Sequence, residues 1–282
     1  MDSQRLPTKT YHCQTRQNIG QPACGDKVVW HTTNEDPDAA EGVITALMPR
    51  DTVLTRTTFS GEDKPLAANI TQLIIVVAPR PEPSTYLIDQ YLIAAERIGT
   101  RAIIAINKAD LLSQDEKWKI MEQFSYYPEL GYELIFVSAH QIEGLIPLQH
   151  KLQGHTSILV GQSGVGKSSL TNALIPELQL ETRQLSEKKQ LGQHTTSAST
   201  LYALGEDAWL IDSPGVRSFR LGSIDLQTLE NGFVEIRALL GDCRFSNCRH
   251  ETEPGCALQA AVEQGKINPQ RLENFKHMAA KL

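Results

Sequence analysis

Several features that would assign this chain to a special class of protein are missing from its sequence. The 282 residues contain no run of 18 uninterrupted apolar residues, which argues against a membrane-spanning helix. The opening residues, "MDSQRLPTKTYHCQ", lack the apolar core of a secretion signal. The five cysteines are an odd number and do not resemble a secreted disulfide framework. We therefore expect a cytoplasmic protein with no membrane partner.

Positive charge is also in short supply. Lys and Arg together number 27 against 33 Asp and Glu, which gives a net charge of −6. This balance argues weakly against broad electrostatic capture of nucleic acid, but it leaves room for a local basic face. The sequence shows no internal repeat and no low-complexity tract. Its length and its 40% hydrophobic content indicate two or three domains with a sizeable core.

Three zones that differ in their pattern of apolar and polar residues predict three domains. Residues 1–65 contain short alternating runs, such as "GDKVVWHTT" and "EGVITALMPR", that predict strands. We expect an OB-type β-barrel there, although a β-domain of another topology fits the pattern nearly as well. Residues 66–216 alternate apolar strands with helices, which predicts an α/β domain with a parallel sheet. Residues 217–282 contain helical stretches around a Cys/His cluster and predict a mainly helical domain.

The middle zone also carries signals for helix ends. Ser84 and Ser113 each precede an amphipathic stretch and are placed to cap a helix. Gly99 follows the first of these stretches and is placed to end it.

The stretch "GQSGVGKSSL" carries the strongest functional signal. It fits the pattern G-x-x-x-x-G-K-[ST] and lies between a predicted strand and a predicted helix. Backbone N–H groups of such a loop hold phosphates, Lys167 would reach the β- and γ-phosphates, and Ser168 would bind Mg²⁺. A glycine-rich turn that merely joins strand to helix is the alternative, and the complete pattern in this context disfavours it. The predicted nucleotide-binding residues here are Gly161, Gln162, Ser163, Gly164, Val165, Gly166, Lys167, Ser168 and Ser169.

Two further motifs predict recognition of guanine. "NKAD" follows the apolar run "AIIAI", and its Asp110 would accept hydrogen bonds from the guanine ring N–H and exocyclic amine. Adenine lacks that amine and would leave the carboxylate unpaired. Asn107 would brace the neighbouring loops, and the stem of Lys108 would cover the base. After the run "LIFV", the backbone at Ser138 and Ala139 would bond the guanine carbonyl. Each motif is short, but their order at successive strand ends supports both.

The motif "DSPG" predicts the metal side of the same site. Asp212 would hold the water shell of Mg²⁺, and Gly215 would contact a γ-phosphate. Thr195 or Thr196, in the polar segment between the phosphate loop and "DSPG", would bind Mg²⁺ directly. A plain turn is the alternative for "DSPG" taken alone.

The usual water-orienting side chain is missing. Ras-like enzymes place a Gln directly after this motif, whereas this chain has Val216. We therefore expect slow turnover by the chain alone. His194 is the candidate catalytic residue because it adjoins the predicted Mg²⁺ ligands, and a solvated loop histidine is the competing interpretation.

The base-reading motifs precede the phosphate loop, which reverses the order found in most GTPases. Such an order arises when the original ends of a domain are joined and new ends open elsewhere, which a compact domain tolerates because its original ends lie close together. The sequence therefore predicts a circularly permuted GTPase domain, in which the segment after "DSPG" runs straight into the C-terminal zone.

The C-terminal zone contains the pattern C-x₄-C-x-H-x₅-C. Its residues Cys243, Cys248, His250 and Cys256 offer three thiols and one imidazole, enough to close a tetrahedral Zn²⁺ site. A complete ligand set indicates a structural ion and not a catalytic one. Buried free cysteines beside a chance histidine are the alternative, which the density of ligands disfavours.

Together these motifs, in this permuted order, resemble the RsgA (YjeQ) family of GTPases that depend on the small ribosomal subunit. The resemblance extends over essentially the whole length and is carried by "NKAD", "SA", "GQSGVGKSSL", "GQHTT", "DSPGVRSF" and the Cys/His cluster. It implies an OB barrel, a permuted GTPase domain and a zinc domain that dock on the small subunit and its rRNA. It further implies a role late in subunit maturation, stimulation by the subunit and release timed by hydrolysis. The expected cofactors are one Zn²⁺, and Mg²⁺ with GTP; the expected state is a monomer.

Two other functions fit some of these features. A non-catalytic RNA-binding module would use the nucleotide only as a structural clamp, which the missing Gln slightly favours. A P-loop ATPase or kinase would share the phosphate loop, but "NKAD" argues against it. GTP turnover measured with and without small ribosomal subunits separates the first alternative from a GTPase.

Replacing the guanine-reading carboxylate should change the base that is bound. Asp110→Asn should weaken GTP binding and permit xanthine nucleotides, because an amide supplies a donor where guanine needs an acceptor. Competition between the two nucleotides in a binding assay checks this. Unchanged GTP affinity in the variant would remove "NKAD" from the site.

Overall fold

A six-stranded sheet forms the centre of the molecule in this computed structural model, which describes residues 10–33, 41–57, 62–175, 199–213, 221 and 224–282. Its strands are β6 (Gln72–Val77), β7 (Arg101–Ile106), β8 (Glu133–Phe136), β9 (Thr156–Val160), β10 (Thr200–Ala203) and β11 (Trp209–Asp212). Their order in the sheet is β10-β11-β9-β6-β7-β8, and all pairs are parallel except that of the edge strand β10. The predicted α/β class is confirmed.

The central strand β6 is buried along its whole length and serves both faces of the sheet. Side chains alternate along a strand, so Leu73 and Ile75 face one cluster whereas Ile74 and Val76 face the other. The first cluster contains apolar side chains of α1 (Thr85–Ile98). The second contains those of α4 (Ile142–Leu152) and α5 (Lys167–Leu174). Helices on both faces explain why β6 reads as a continuous apolar run.

The helix ends follow local sequence rules. Ser84 accepts a hydrogen bond from the Leu87 N–H and caps α1, and Gly99 ends this helix in the left-handed conformation with φ of 68°. Ser113 and Glu116 form a capping box at the start of α2 (Gln114–Gln123). The predictions for Ser84, Gly99 and Ser113 are confirmed. The short helices nearby are a 3₁₀ turn (Ala109–Leu111) and α3 (Tyr126–Glu129).

The amino-terminal strands form two small sheets. β3 (Glu41–Leu47) pairs in parallel with β1 (His12–Thr15) and antiparallel with β2 (Val28–Thr32), whereas β4 (Val53–Thr57) pairs with β5 (Asp63–Ala68). Over the described ranges these strands do not close into one barrel, so the OB assignment stays a prediction.

The pair β4–β5 packs on the main core. Leu54 and Leu66 belong to the same cluster as α1 and the central sheet. β5 spans Asp63–Ala68 and therefore continues past residue 65. The limits at residues 65 and 216 stay predictions.

The described part of the C-terminal zone is helical, as the sequence predicts. Its helices are α6 (Leu226–Gly232), α7 (Val234–Arg237), α8 (Ala257–Glu263) and α9 (Pro269–Ala279). Their apolar side chains form a third cluster that includes Ile93 of α1. Helix α1 therefore contributes side chains to both the first and the third hydrophobic cluster. None of the helices seen in the described ranges is long and apolar enough to cross a membrane.

The contact between α6 and α1 requires glycine. A Cβ added at Gly232 would lie 2.6 Å from Cγ2 of Ile93, which is fully buried. Gly232→Ala should therefore lower the free energy of unfolding by about 1–3 kcal/mol through overpacking. Gly205→Ala is the matched control, because a Cβ there meets nothing within 4 Å. Urea denaturation measures both, and equal midpoints for the two variants would contradict the close packing.

Candidate functional site

The loop between β9 and α5 lies against the carboxyl end of the central sheet. Gly161 has φ of 133°, and a Cβ added there would lie 2.2 Å from the Val76 carbonyl oxygen. Gly166 has φ of 95°, and its added Cβ would lie 2.4 Å from Nδ2 of Asn107. Only glycine combines this backbone conformation with this close approach. The glycines of the motif are therefore required by the position of the loop.

The first turn of α5 presents the features expected of an anion site. Lys167 opens the helix, and its Nζ donates to the carbonyls of Gly161 at 2.6 Å and Gln162 at 2.7 Å. Ser168 and Ser169 follow with exposed side chains, and no acidic residue lies in this turn. The N–H groups at a helix start attract negative charge. The geometry suits a phosphate, with a lysine and a hydroxyl beside it.

Asn107 joins the base-reading motif to the phosphate loop. Its side chain is buried, and Nδ2 donates to the Val165 carbonyl at 2.9 Å across 58 residues of sequence. Its backbone N–H donates to the Val77 carbonyl at the end of β6. Its Oδ1 is also buried and has no hydrogen-bond partner among the described residues. A buried acceptor of this kind fits a group that arrives with a ligand.

Lys108 extends the same connection. It adopts the left-handed conformation with φ of 63°, which is uncommon for a residue other than glycine. Its Nζ donates to the carbonyls of Gly164 at 2.8 Å and Arg80 at 2.9 Å. The lysine stem therefore runs from the "NKAD" loop across to the phosphate loop.

Asp110 and Ser138 meet at the carboxyl ends of β7 and β8. The Ser138 hydroxyl donates to Asp110 Oδ1 at 2.5 Å, and it accepts from the His140 N–H at 3.2 Å. Ser138 is buried, whereas Asp110 and Ala139 are half-buried. An added Cβ on Gly144 would lie 2.7 Å from the Ser138 Cβ, so α4 packs closely beneath this loop. The two sequence motifs are thus brought together with the carboxylate held in one orientation.

The remaining predicted residues divide into two groups. Asp212 ends β11, whose parallel pairing with β9 places this carboxylate at the same edge of the sheet as the phosphate loop. Gly215, His194, Thr195 and Thr196 lie outside the described residues.

The segment 78–84, between β6 and α1, is a part of the site that the motifs do not reveal. The Arg80 carbonyl accepts from Lys108, and the Glu82 carbonyl accepts from Gln162 Nε2 at 3.1 Å. Both contacts use backbone oxygens, which leave no motif. The signal available in the sequence is the run of prolines in "APRPEPS", directly after a buried strand.

The Cys/His cluster has the geometry of a metal site. The ligand atoms of Cys243, Cys248, His250 and Cys256 all lie within 4.8 Å of one another. Nδ1 of His250 lies 3.6 Å from Sγ of Cys243 and 3.5 Å from Sγ of Cys256. A tetrahedron with zinc bond lengths has S···N edges of about 3.5 Å, so the residues fit Zn²⁺.

The surroundings of the cluster also suit a metal. Burial lowers the pKa of His250, which keeps the imidazole neutral and able to bind a cation. Nε2 of His250 lies 3.9 Å from Oε1 of Glu230, a carboxylate that the motif analysis missed. The other ring nitrogen of a metal-binding histidine is commonly oriented by such a partner.

The close approach of Gly166 to Asn107 can be tested separately from backbone strain. Gly166→Ala and Gly164→Ala both place a side chain at positive φ, but the Cβ added at Gly164 comes no nearer than 3.7 Å to Pro81. The free energy of unfolding should therefore fall by about 1 kcal/mol more in Gly166→Ala than in Gly164→Ala, because the added Cβ displaces the Asn107 amide that bonds Val165. Thermal unfolding of the two variants checks this. Equal losses would contradict the contact.

Known proteins are similar to this chain in sequence. A family model described as RsgA GTPase matches residues 47–222. "Small ribosomal subunit biogenesis GTPase RsgA" of Pseudomonas putida F1 is 45% identical over 274 residues, which cover 97% of this chain and 79% of the relative. The protein of the same name from Azotobacter vinelandii is 45% identical over 277 residues, which cover 98% of this chain and 80% of the relative.

Two solved structures are similar over nearly the whole chain. YjeQ from Thermotoga maritima has 33% identity and a TM-score of 0.72, and the match covers 96% of this chain and 89% of that one. YloQ, described as a circularly permuted GTPase, has 28% identity and a TM-score of 0.71 over 97% of this chain and 86% of that one. The GTPase class predicted from the motifs is confirmed: the chain belongs to the RsgA GTPase family.

Proposed function

We propose that this protein is a GTPase that binds the small ribosomal subunit, acts late in its maturation and is stimulated by it, with hydrolysis timing release. The observation that carries the proposal is the bond from Asn107 Nδ2 to the Val165 carbonyl, which unites a guanine-reading motif with a phosphate loop. The small ribosomal subunit is proposed as the partner because relatives of this chain are named small ribosomal subunit biogenesis GTPase.

Guanine is the base that the described residues suit. Ser138 donates to one oxygen of Asp110, which orients the carboxylate for the ring N–H and the exocyclic amine of guanine. The stem of Lys108 covers the base. The Ala139 N–H bonds the guanine carbonyl, because the Ser138 N–H donates to the Gly144 carbonyl at 3.0 Å. An adenine would leave the base-facing oxygen of Asp110 without the donors that guanine provides, a mismatch that costs about 1–3 kcal/mol or more for a charged group.

The phosphates occupy the start of α5. Backbone N–H groups of Gly161 to Ser169 hold them, and Lys167 neutralises part of their charge. Ser168, whose side chain is exposed, and Asp212 would hold Mg²⁺, together with Thr195 or Thr196. The cation would supply further positive charge to the phosphates. Gly215 contacts the γ-phosphate.

Catalysis needs a group that orients water. His194 takes this role beside the Mg²⁺-binding threonines, because Val216 occupies the position of the usual Gln. The small subunit completes this arrangement and thereby raises a slow intrinsic rate.

The whole chain divides into an OB-type barrel at 1–65, a permuted GTPase domain at 66–216 and a zinc domain at 217–282. We place the rRNA contacts on local basic faces, since the net charge is −6. The protein acts as a monomer in the cytoplasm, where its ribosomal substrate lies, and it carries one structural zinc.

Stimulated turnover tests the proposal directly. GTP hydrolysis by the free protein should be slow, and added small ribosomal subunits should raise it by about 10³–10⁵-fold, the gain of a completed GTPase site. His194→Ala should abolish the stimulated rate and leave nucleotide binding nearly intact. Lys167→Ala should lose both, because it removes a phosphate ligand. Phosphate release assays measure the rates.

Three outcomes of this assay are informative. Tight nucleotide binding without turnover, even with subunits, would favour the RNA-binding module in which the nucleotide is a clamp. Full stimulation of His194→Ala would assign the water-orienting role to another group. Turnover of ATP at the rate of GTP would contradict the role of Asp110.

Zinc removal should loosen the C-terminal helices. The purified protein should contain one zinc per chain, and Cys248→Ala should lose it, because three ligands hold the ion less tightly than four. Structural zinc contributes about 10 kcal/mol of apparent folding energy in small domains. Residues 224–282 should therefore become protease-sensitive in the variant. Elemental analysis that finds no zinc in the wild type would contradict the site.

A further inference from the structure

An ionic cluster is buried between the GTPase core and the last helix. Asp89 of α1 and Arg271 of α9 are both fully buried, and Arg271 Nη1 donates to Asp89 Oδ1 at 2.6 Å. The other two guanidinium nitrogens donate to Glu235 of α7 at 2.6 Å and 2.8 Å. The guanidinium carbon lies 4.4 Å from the ring centroid of Phe233. The planar guanidinium group of Arg271 is thus held by two carboxylates and an aromatic ring, which fixes the position of α9 against α1.

The second oxygen of Asp89 is held by the same helix. Asn274 Nδ2 donates to Asp89 Oδ2 at 2.6 Å and lies 3.3 Å from Thr85 Oγ1 in the first turn of α1. The Tyr127 hydroxyl donates to Asp89 Oδ1 at 2.9 Å. Because a buried carboxylate is costly without its partners, these contacts favour one arrangement of the two helices.

The start of α1 is tied to the nucleotide site. The helix begins after Ser84, at the end of segment 78–84, whose carbonyls accept from Lys108 and Gln162. Ser84 and Asp89 are five residues apart, which corresponds to about 7.5 Å along a helix. A rigid element of one and a half turns thus separates the two sets of contacts.

We propose that Arg271 and Asn274 are positioning residues of the nucleotide site, acting through Asp89 and α1 on segment 78–84. The inference rests on the proposed function, in which this site holds a guanine nucleotide. Fixing Asp89 fixes the start of α1, and with it the carbonyls that hold Lys108 and Gln162 in place. Because coupling between two sites is reciprocal, bound nucleotide must also stabilise the contact of α9 with α1.

An isosteric exchange tests the pathway. Asp89→Asn keeps an acceptor for Arg271 and Tyr127, but it sets an amide donor against the donors of Asn274. Its affinity for a fluorescent GDP should fall by about 3- to 10-fold, which lies within the range for residues that couple distant sites. The double variant Asp89→Asn/Asn274→Asp restores a carboxylate–amide pair with the partners exchanged, and it should recover the affinity.

A second contact along α1 provides the control. Arg237 Nη1 lies 3.5 Å from Oε2 of Glu96, near the other end of α1, and joins the same two regions at the surface. Arg237→Gln should leave GDP affinity unchanged. Wild-type affinity in Asp89→Asn, or a loss that the exchanged pair does not repair, would overturn the inference. Failure of the wild type to bind GDP would instead refute the proposed function, and this inference with it.

Hydrogen exchange of the wild type provides a measurement that needs no variant. GDP should slow exchange of the amides in 269–279, which contact α1 through the buried cluster, more than in 257–263 of the neighbouring helix. Equal changes in the two helices would also overturn the inference.

Discussion

The hydrogen bond from Asn107 Nδ2 to the Val165 carbonyl is the interaction on which the architecture of the site depends. It joins the loop after β7 to the loop after β9, and the close approach that permits it requires glycine at position 166. The bond from Lys108 Nζ to the Gly164 carbonyl reinforces this link, and without the link the groups that suit a base and the groups that suit phosphates would lie on independent loops. With it, the carboxyl edge of the sheet presents them as one surface, as expected for ligand sites in open α/β sheets.

The order of the strands explains how the base-reading loop can precede the phosphate loop in the chain and still share one surface with it. β9 and β11 follow β6 and β7 in sequence, yet β6 lies between β9 and β7 in the sheet. The site depends on which strand ends are neighbours, and not on the order in which the chain visits them. The helical zone packs on α1 through Ile93, and a fully buried Arg271 completes that contact.

The predictions from sequence succeeded where the determining interaction is local. Ser113 caps α2 together with Glu116 three residues later, and Gly99 ends α1 in the left-handed conformation. They stayed open, or were not made, where pairing is long-range. A barrel depends on which strands meet, and alternation within each strand does not determine this. Arg271 and Asp89 are 182 residues apart in the sequence, so their contact leaves no motif. The contacts of Lys108 and Gln162 with segment 78–84 use backbone carbonyls and leave none either.

Affinity for the small ribosomal subunit in the two nucleotide states is the most direct test of the central claim, that hydrolysis times release. The protein loaded with a GTP analogue that cannot be hydrolysed should bind purified subunits tightly, and the GDP form should dissociate. A ligand shifts an equilibrium only through different affinities for the two states, so this difference is the quantity to measure. Equal affinity of the two forms would contradict the account, even if GTP hydrolysis were stimulated.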